Sequence, residues 1–191
     1  RVELYAEIAD VFLGKRQLAR GILQSLTPAQ KQNVLQPLAY HMMQNKQREI
    51  ELDEALEVIK EPLGLVSPNE NGEDFLKMIE NSSGLLLERE NREYSFAHLT
   101  FQEYLAAMYV LEERLGQELV MYVEESWWHE TIRLFCAKAD ATPIIEACLK
   151  DSKPSVPALT LAIECATEAL KIQPQVRKQL EKILQDDIED D

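Results

Sequence analysis

Hydrophobic residues recur at helical spacing over most of this chain, and the exceptions mark its organisation. Leu4, Ile8, Val11 and Phe12 form one stripe. Ile22, Leu23 and Leu26 continue it past Gly14 and Gly21, so residues 1–26 read as helical. Thr27-Pro28-Ala29-Gln30 then combines a capping box with proline at the first helical position. Leu35, Leu38, Ala39 and Met42 give the helix that follows its inward face. After a polar link, Ile50 marks a brief strand. A second helix runs from Asp53 to about Glu61, with Leu56, Ile59 and Leu63 inward and Pro62 expected to end it. Ser67 to Gly72 is loop-like in composition. A third helix spans residues 73–82 and buries Phe75, Leu76 and Ile79.

The period then changes. Gly84 suits a helix C′ position. Leu85–Arg89 and Glu93–His98 read as two strands around a turn at Glu90-Asn91-Arg92. Immediately afterwards Phe101, Tyr104, Leu105 and Met108 return to helical spacing. Thr100 and Glu103 have capping-box spacing, and Leu99 with Tyr104 can form the hydrophobic staple. His98 is thereby placed just ahead of a helix N-terminus, where backbone donors and the helix dipole favour an anion.

From residue 116 onward only helices are expected, near 117–124, 127–139, 143–150, 156–171 and 174–186. The breaks are Ser126, Thr142-Pro143, Ser152-Lys153-Pro154 and Pro174, each a cap or a helix-stopping proline. Short helices in succession suggest a HEAT-like array of helical hairpins, although no fixed-period repeat accompanies them. The expected fold is mainly α: three helices plus a β-hairpin, the winged-helix order, followed by the helical array. In domain terms, 1–26 closes a preceding helical domain, 27–115 is the winged helix, 116–188 a second helical domain and 189–191 an acidic tail.

Composition narrows the function. The chain has 191 residues, 46% hydrophobic, with 20 Lys and Arg against 34 Asp and Glu, a net charge of −14. Such a surface repels phosphate backbones. The third helix, where a DNA-binding winged helix makes its base contacts, reads Glu73-Asp74-Phe75-Leu76-Lys77-Met78-Ile79-Glu80 and opposes that use. Cys136, Cys148 and Cys165 lie in apolar helical contexts without C-x-x-C spacing, which fits buried, reduced thiols in a cytoplasmic protein and no metal site. No apolar run reaches the length of a membrane span, and Arg1 is no natural start, so the chain reads as a piece of a longer protein.

The string Phe96-Ala97-His98-Leu99-Thr100-Phe101-Gln102-Glu103-Tyr104-Leu105-Ala106-Ala107 resembles the segment that closes the winged-helix domain of NACHT-type NTPases. These are signal-transducing ATPases of the STAND class, related to NOD-like receptors and to innate defence, and the similarity is to a bacterial-type member. Arg1 to Tyr5, Ser83 to Leu86 and Trp127-Trp128 agree with it in order, and the match is good from about Arg1 to Gly116. The resemblance implies that His98 contacts the β-phosphate of ADP and ties the winged helix to an upstream nucleotide-binding domain in a closed state. It implies that Phe96, Thr100, Phe101, Gln102, Glu103 and Tyr104 support that histidine. It also implies ADP or ATP with Mg in the parent protein, and homo-oligomerisation of that protein once it opens.

Read from the residues alone, a satisfied structural histidine is the simpler account of His98. The chain has no G-x-x-x-x-G-K-[ST], hence no phosphate cradle, and is not expected to be an enzyme on its own or to hold a cofactor by itself. Trp127-Trp128-His129-Glu130 invites a reading as an active site with Glu130 as base, but core packing is the better account. His41 reads as a boundary histidine near a helix C-terminus. A protein-interaction scaffold with no nucleotide role is the alternative function, and a DNA-binding regulator a more distant one.

Overall fold

The computed structural model describes residues 2–15, 26–151 and 153–189. The chain divides into two compact units, Arg1–Tyr109 and Val110–Asp191. The division falls inside a helix, whereas the sequence pattern placed a domain boundary at residue 115.

The first unit opens with α1 (Val2–Asp10), which runs directly into a π-helical turn, Val11–Lys15. Ile22 and Leu23, expected to extend this stripe, lie outside the described residues, as do Ser152 and the last two acidic residues. Helix α2 (Pro28–Gln44) starts as its sequence demands: the Thr27 hydroxyl accepts from the Gln30 amide, the Gln30 side chain accepts from the Thr27 amide, and proline holds N1. A short strand β1 (Ile50–Glu51) leads into α3 (Leu52–Val66). Pro62 does not end α3; it lies inside it. Proline costs a helix about 3 kcal/mol. Here Leu52, Ala55, Ile59 and Leu63 are all buried along one face, and burying several such side chains at about 1.5–3 kcal/mol each outweighs that cost.

Helix α4 (Gly72–Ser83) is capped by Asn71, whose side chain accepts from the amides of Glu73 and Asp74. Gly84 ends it in the left-handed region at φ 65°, and its amide bonds the Glu80 carbonyl. Strands β2 (Leu86–Glu88) and β3 (Glu93–Phe96) flank a single 3₁₀ turn at Glu90–Arg92. Both pair antiparallel with register Leu86↔Phe96 and Glu88↔Tyr94, and β3 also pairs with β1, Ile50 opposite Tyr94. The sheet order β1-β3-β2 with helices α2, α3 and α4 is the winged-helix arrangement. Helix α5 (Leu99–Glu112) follows.

Lys31 was not anticipated. It is fully buried on α2, and its Nζ donates to the Leu13 carbonyl of the π-helical turn at 3.1 Å. Burial pulls its ammonium down to about 8.

In the second unit the expected helix at 117–124 is a 3₁₀ segment, Gly116–Tyr122. A side chain on Gly116 would meet the Phe135 ring at 2.4 Å, so the segment starts by pressing bare backbone against that ring. Helix α6 (Ser126–Cys136) starts with Ser126 as its first residue; the cap position is Glu125, which makes no side-chain capping bond, so Ser126 is not the cap expected. Trp128 is fully buried and stacks on Tyr122 at 4.4 Å, and Trp127 is only partly buried, so this pair builds core. Helices α7 (Thr142–Cys148), α8 (Val156–Glu168) and α9 (Pro174–Glu189) complete the unit. Helix α8 stops three residues short of the expected 171 because tertiary partners take over the backbone. The Leu170 amide bonds the Cys136 carbonyl, and Lys171 bridges Asp140.

Arg133 joins α6 to α8. It reaches Glu168 at 2.7 Å and Glu164 at 3.2 Å, with Glu130 of its own helix at 3.6 Å. All three cysteines are free and buried. The Cys136 thiol and burial together push Cys165 far up, and burial pushes Cys148 to about 12. Such thiols are poor nucleophiles.

Lys31 gives a testable pH dependence. A lysine lowered to about 8 in the folded state, against an ordinary 10.5, releases a proton on folding. Its penalty is complete below the folded value and fades as pH rises toward the unfolded one. The stability of wild type relative to Lys31→Met should therefore rise between about pH 8 and pH 10, by at most roughly 1.4 kcal/mol per unit before solvent screening. Urea unfolding across that range measures it. A flat difference would place the amine in water.

Candidate functional site

The segment joining β3 to α5 is where sequence and fold converge. The Ala97 amide bonds the Leu85 carbonyl, which closes the hairpin at its base. Residues 97 and 98 then bend, and α5 begins at Leu99. Thr100 is thus the second residue of the helix. The Phe101 amide bonds the His98 carbonyl at 3.0 Å, so the first turn closes one step earlier, on His98. Anchoring of the next residues in the core sets that start.

His98 itself is exposed. Its ring lies 5.9 Å from that of Phe101, tilted by 48°. Among the described residues no hydrogen-bond partner meets its ring nitrogens. Thr100 is partly exposed, and the other residues expected to support His98 turn inward. Phe96 is 5% exposed, Phe101 7%, Gln102 1%, Glu103 8% and Tyr104 4%, so the motif separates into one outward imidazole and a buried base. The base is well tied. Phe101 packs edge-on against Phe12 at 5.7 Å, and Tyr104 lies 6.2 Å from Tyr5. Gln102 Nε2 donates to the Gln47 carbonyl at 2.9 Å and to Met43 Sδ at 3.5 Å, which fastens α5 to the link between α2 and β1.

Beside this corner lies a cavity of about 200 Å³ lined by Arg48, Glu49, Arg89, Ser95, Phe96, Leu99 and Gln102. Arg89 Nε donates to the buried Ser95 hydroxyl at 2.7 Å. Arg89 is recognisable in the sequence as a basic residue of the wing, but its place with Arg48 on one cavity wall depends on β1 and β2 flanking β3, and no spacing records that.

The remaining candidates are structural. His41 Nε2 meets Glu54 Oε1 at 2.7 Å, and that bond, ahead of one from Gln47, holds the Glu54 carboxyl below its ordinary range. His129 faces the Val123 carbonyl at 2.9 Å, and Glu130 lies with Arg133, so neither belongs to a catalytic pair. On α4, Lys77 is held by Glu73 at 2.9 Å, and the wing groups Glu88, Glu90 and Glu93 around Arg89. Those surfaces repel a nucleic-acid backbone. No group of His, Cys, Asp and Glu among the described residues is arranged to hold a metal, and none of the described helices is long and apolar enough to cross a membrane.

Helices α2, α3 and α4 and the β1-β3-β2 sheet define a winged helix, with the histidine corner at its close. Residues 1–110 match the family model of the winged helix-turn-helix domain C-terminal to NACHT, and the chain belongs to that family. No curated protein and no solved structure matches it. The chain therefore carries a regulatory part that follows a NACHT domain. The matched span takes in residues 2–15, whose Tyr5 and Phe12 pack on α5.

Two substitutions separate the anchor from the expected cap. Gln102→Ala strands the Gln47 carbonyl and should lower stability by about 1–3 kcal/mol. Thr100→Ala, within the helix and partly exposed, should stay within about 0.5 kcal/mol. Thermal unfolding of both distinguishes them, and the reverse order would restore Thr100 as the cap.

Proposed function

We propose that this chain is the moving regulatory arm of a cytoplasmic, signalling NACHT ATPase, one that serves in defence. In the closed state its winged helix lies against the nucleotide domain and His98 donates a hydrogen bond to a phosphate oxygen of ADP. Exchange of the nucleotide removes that contact, and the protein then opens and self-associates. The function is a population shift between two states, and a ligand moves such an equilibrium only by as much as it prefers one of them.

The observation that carries this reading is the isolated imidazole. A histidine serving the fold would be partnered or buried. His98 is exposed, has no hydrogen-bond partner for its ring nitrogens among the described residues, and adjoins the buried Phe96, Phe101 and Gln102. An exposed donor on a rigid base suits a ligand held by another domain. The residues here fit a phosphate contact and nothing more. The nucleotide, its magnesium and the catalytic groups belong to the NACHT domain, which brings the hydrolytic chemistry. This chain supplies position and one donor.

A scaffold function without nucleotide is the competing reading, and His98→Leu in the complete protein decides between them. A hydrogen bond to a charged group contributes about 1.5–3 kcal/mol. Its loss from the closed state alone shifts the balance about tenfold to a hundredfold. Faster ADP release together with self-association is expected from the variant. Wild-type ADP retention in a monomeric variant would make His98 structural. The chain alone should show no ATP hydrolysis above a buffer control, because it lacks a phosphate loop. Turnover that co-purifies with it through successive columns would overturn that.

A further inference from the structure

The second unit contains a cavity that the winged-helix function does not use. Its volume is about 310 Å³, the lower end of the range for small-molecule sites. Leu111, Phe135 and Ile144 give it an apolar floor, and Gly116 forms one wall. The glycine matters, because any side chain there would collide with the Phe135 ring. Two charged residues stand among its lining, Arg114 and Asp140.

These two charges are not equivalent. Asp140 is already neutralised: Oδ1 accepts from the Thr142 amide at 3.0 Å, and Oδ2 faces Lys171 at 3.5 Å. Arg114 is exposed, and no carboxylate or carbonyl among the described residues meets its guanidinium. It occupies the left-handed region at φ 59°. There it ends α5, with its amide bonding the Leu111 carbonyl and the Leu115 amide bonding that of Val110. Glycine is the residue that adopts this C′ conformation without a Cβ penalty. The backbone role alone would be better served by glycine, so replacing Arg114 by glycine removes the guanidinium without straining the turn.

We propose that this cavity binds a small monoanionic amphiphile, a carboxylate on an aromatic or short aliphatic body. The body rests on Phe135, Ile144 and Leu111, and the carboxylate pairs with the Arg114 guanidinium in the bidentate geometry that arginine favours. With Asp140 already satisfied, the open charge at the rim is positive, so a cationic or neutral ligand of the same shape binds less well. The proposal is independent of the His98 reading, because every residue in it lies in the second unit.

The test is an NMR titration of the chain with phenylacetate, alongside benzyl alcohol, benzylamine and acetate at matched ionic strength. Phenylacetate should saturate with a Kd on the order of 1 mM or tighter, as ligand efficiency permits for so small a molecule. Its shifts should fall on Gly116, Ala139 and Ile144. Benzyl alcohol, benzylamine and acetate should each bind at least about tenfold more weakly, since each lacks either the charge or the body. Arg114→Gly provides the control for folding. It relieves the left-handed arginine, so its unfolding midpoint should equal or exceed wild type, yet its affinity for phenylacetate should fall about tenfold or more. Absence of saturation, shifts mapping elsewhere, benzylamine or acetate binding as well as phenylacetate, or undiminished binding to Arg114→Gly would each overturn the assignment.

Discussion

The first unit depends on the burial of α5 on all sides. Every residue from Phe101 to Met108 is buried, including the polar Gln102 and the carboxylate of Glu103. A helix enclosed in this way fails unless each face finds a complementary surface. Tyr5 and Phe12 meet it on one side and Tyr40 on another, the last stacking on Tyr109 at 5.0 Å. Gln102 spends its amide on backbone and sulfur of the α2 end. The buried polar group thus chooses one register for the helix, because any rotation about its axis would strand it.

That enclosure makes the corner at His98 useful. The strand before it is paired on both edges, by β1 and by β2. The helix after it cannot rotate. Between two immobile elements only a bend of two residues remains, and its side chain is set by its neighbours. On the function proposed above, a donor reaching a phosphate held by another domain gains from such preorganisation, since little freedom is left to lose on contact.

The second unit obeys a different constraint. A charged cluster joins two of its helices beside the apolar core. Arg133 gathers three carboxylates from α6 and α8. A partly buried cation of this kind is costly to desolvate, and its value lies in specifying which helices pair. Gly116 plays the complementary part by letting the Phe135 ring approach the backbone.

The sequence by itself determined the elements whose causes are local. The Thr27–Gln30 capping box, the αL glycine at 84 and the alternation of the hairpin act within a few residues, so their spacing is visible in the string. The winged-helix order followed from them, and the motif from Phe96 to Ala107 pointed to the family. Tertiary structure decided wherever a long-range partner outweighed a local rule. Pro62 stays helical because burial of the α3 face outweighs a missing hydrogen bond. Helix α5 starts at Leu99 because Phe101 and Gln102 are fastened to the core. Helix α8 ends early because Cys136 and Asp140 offer backbone partners to the residues beyond it. Lys31 in the core and the open charge of Arg114 were invisible, since each is defined by what stands opposite it in space and no spacing along the chain records that.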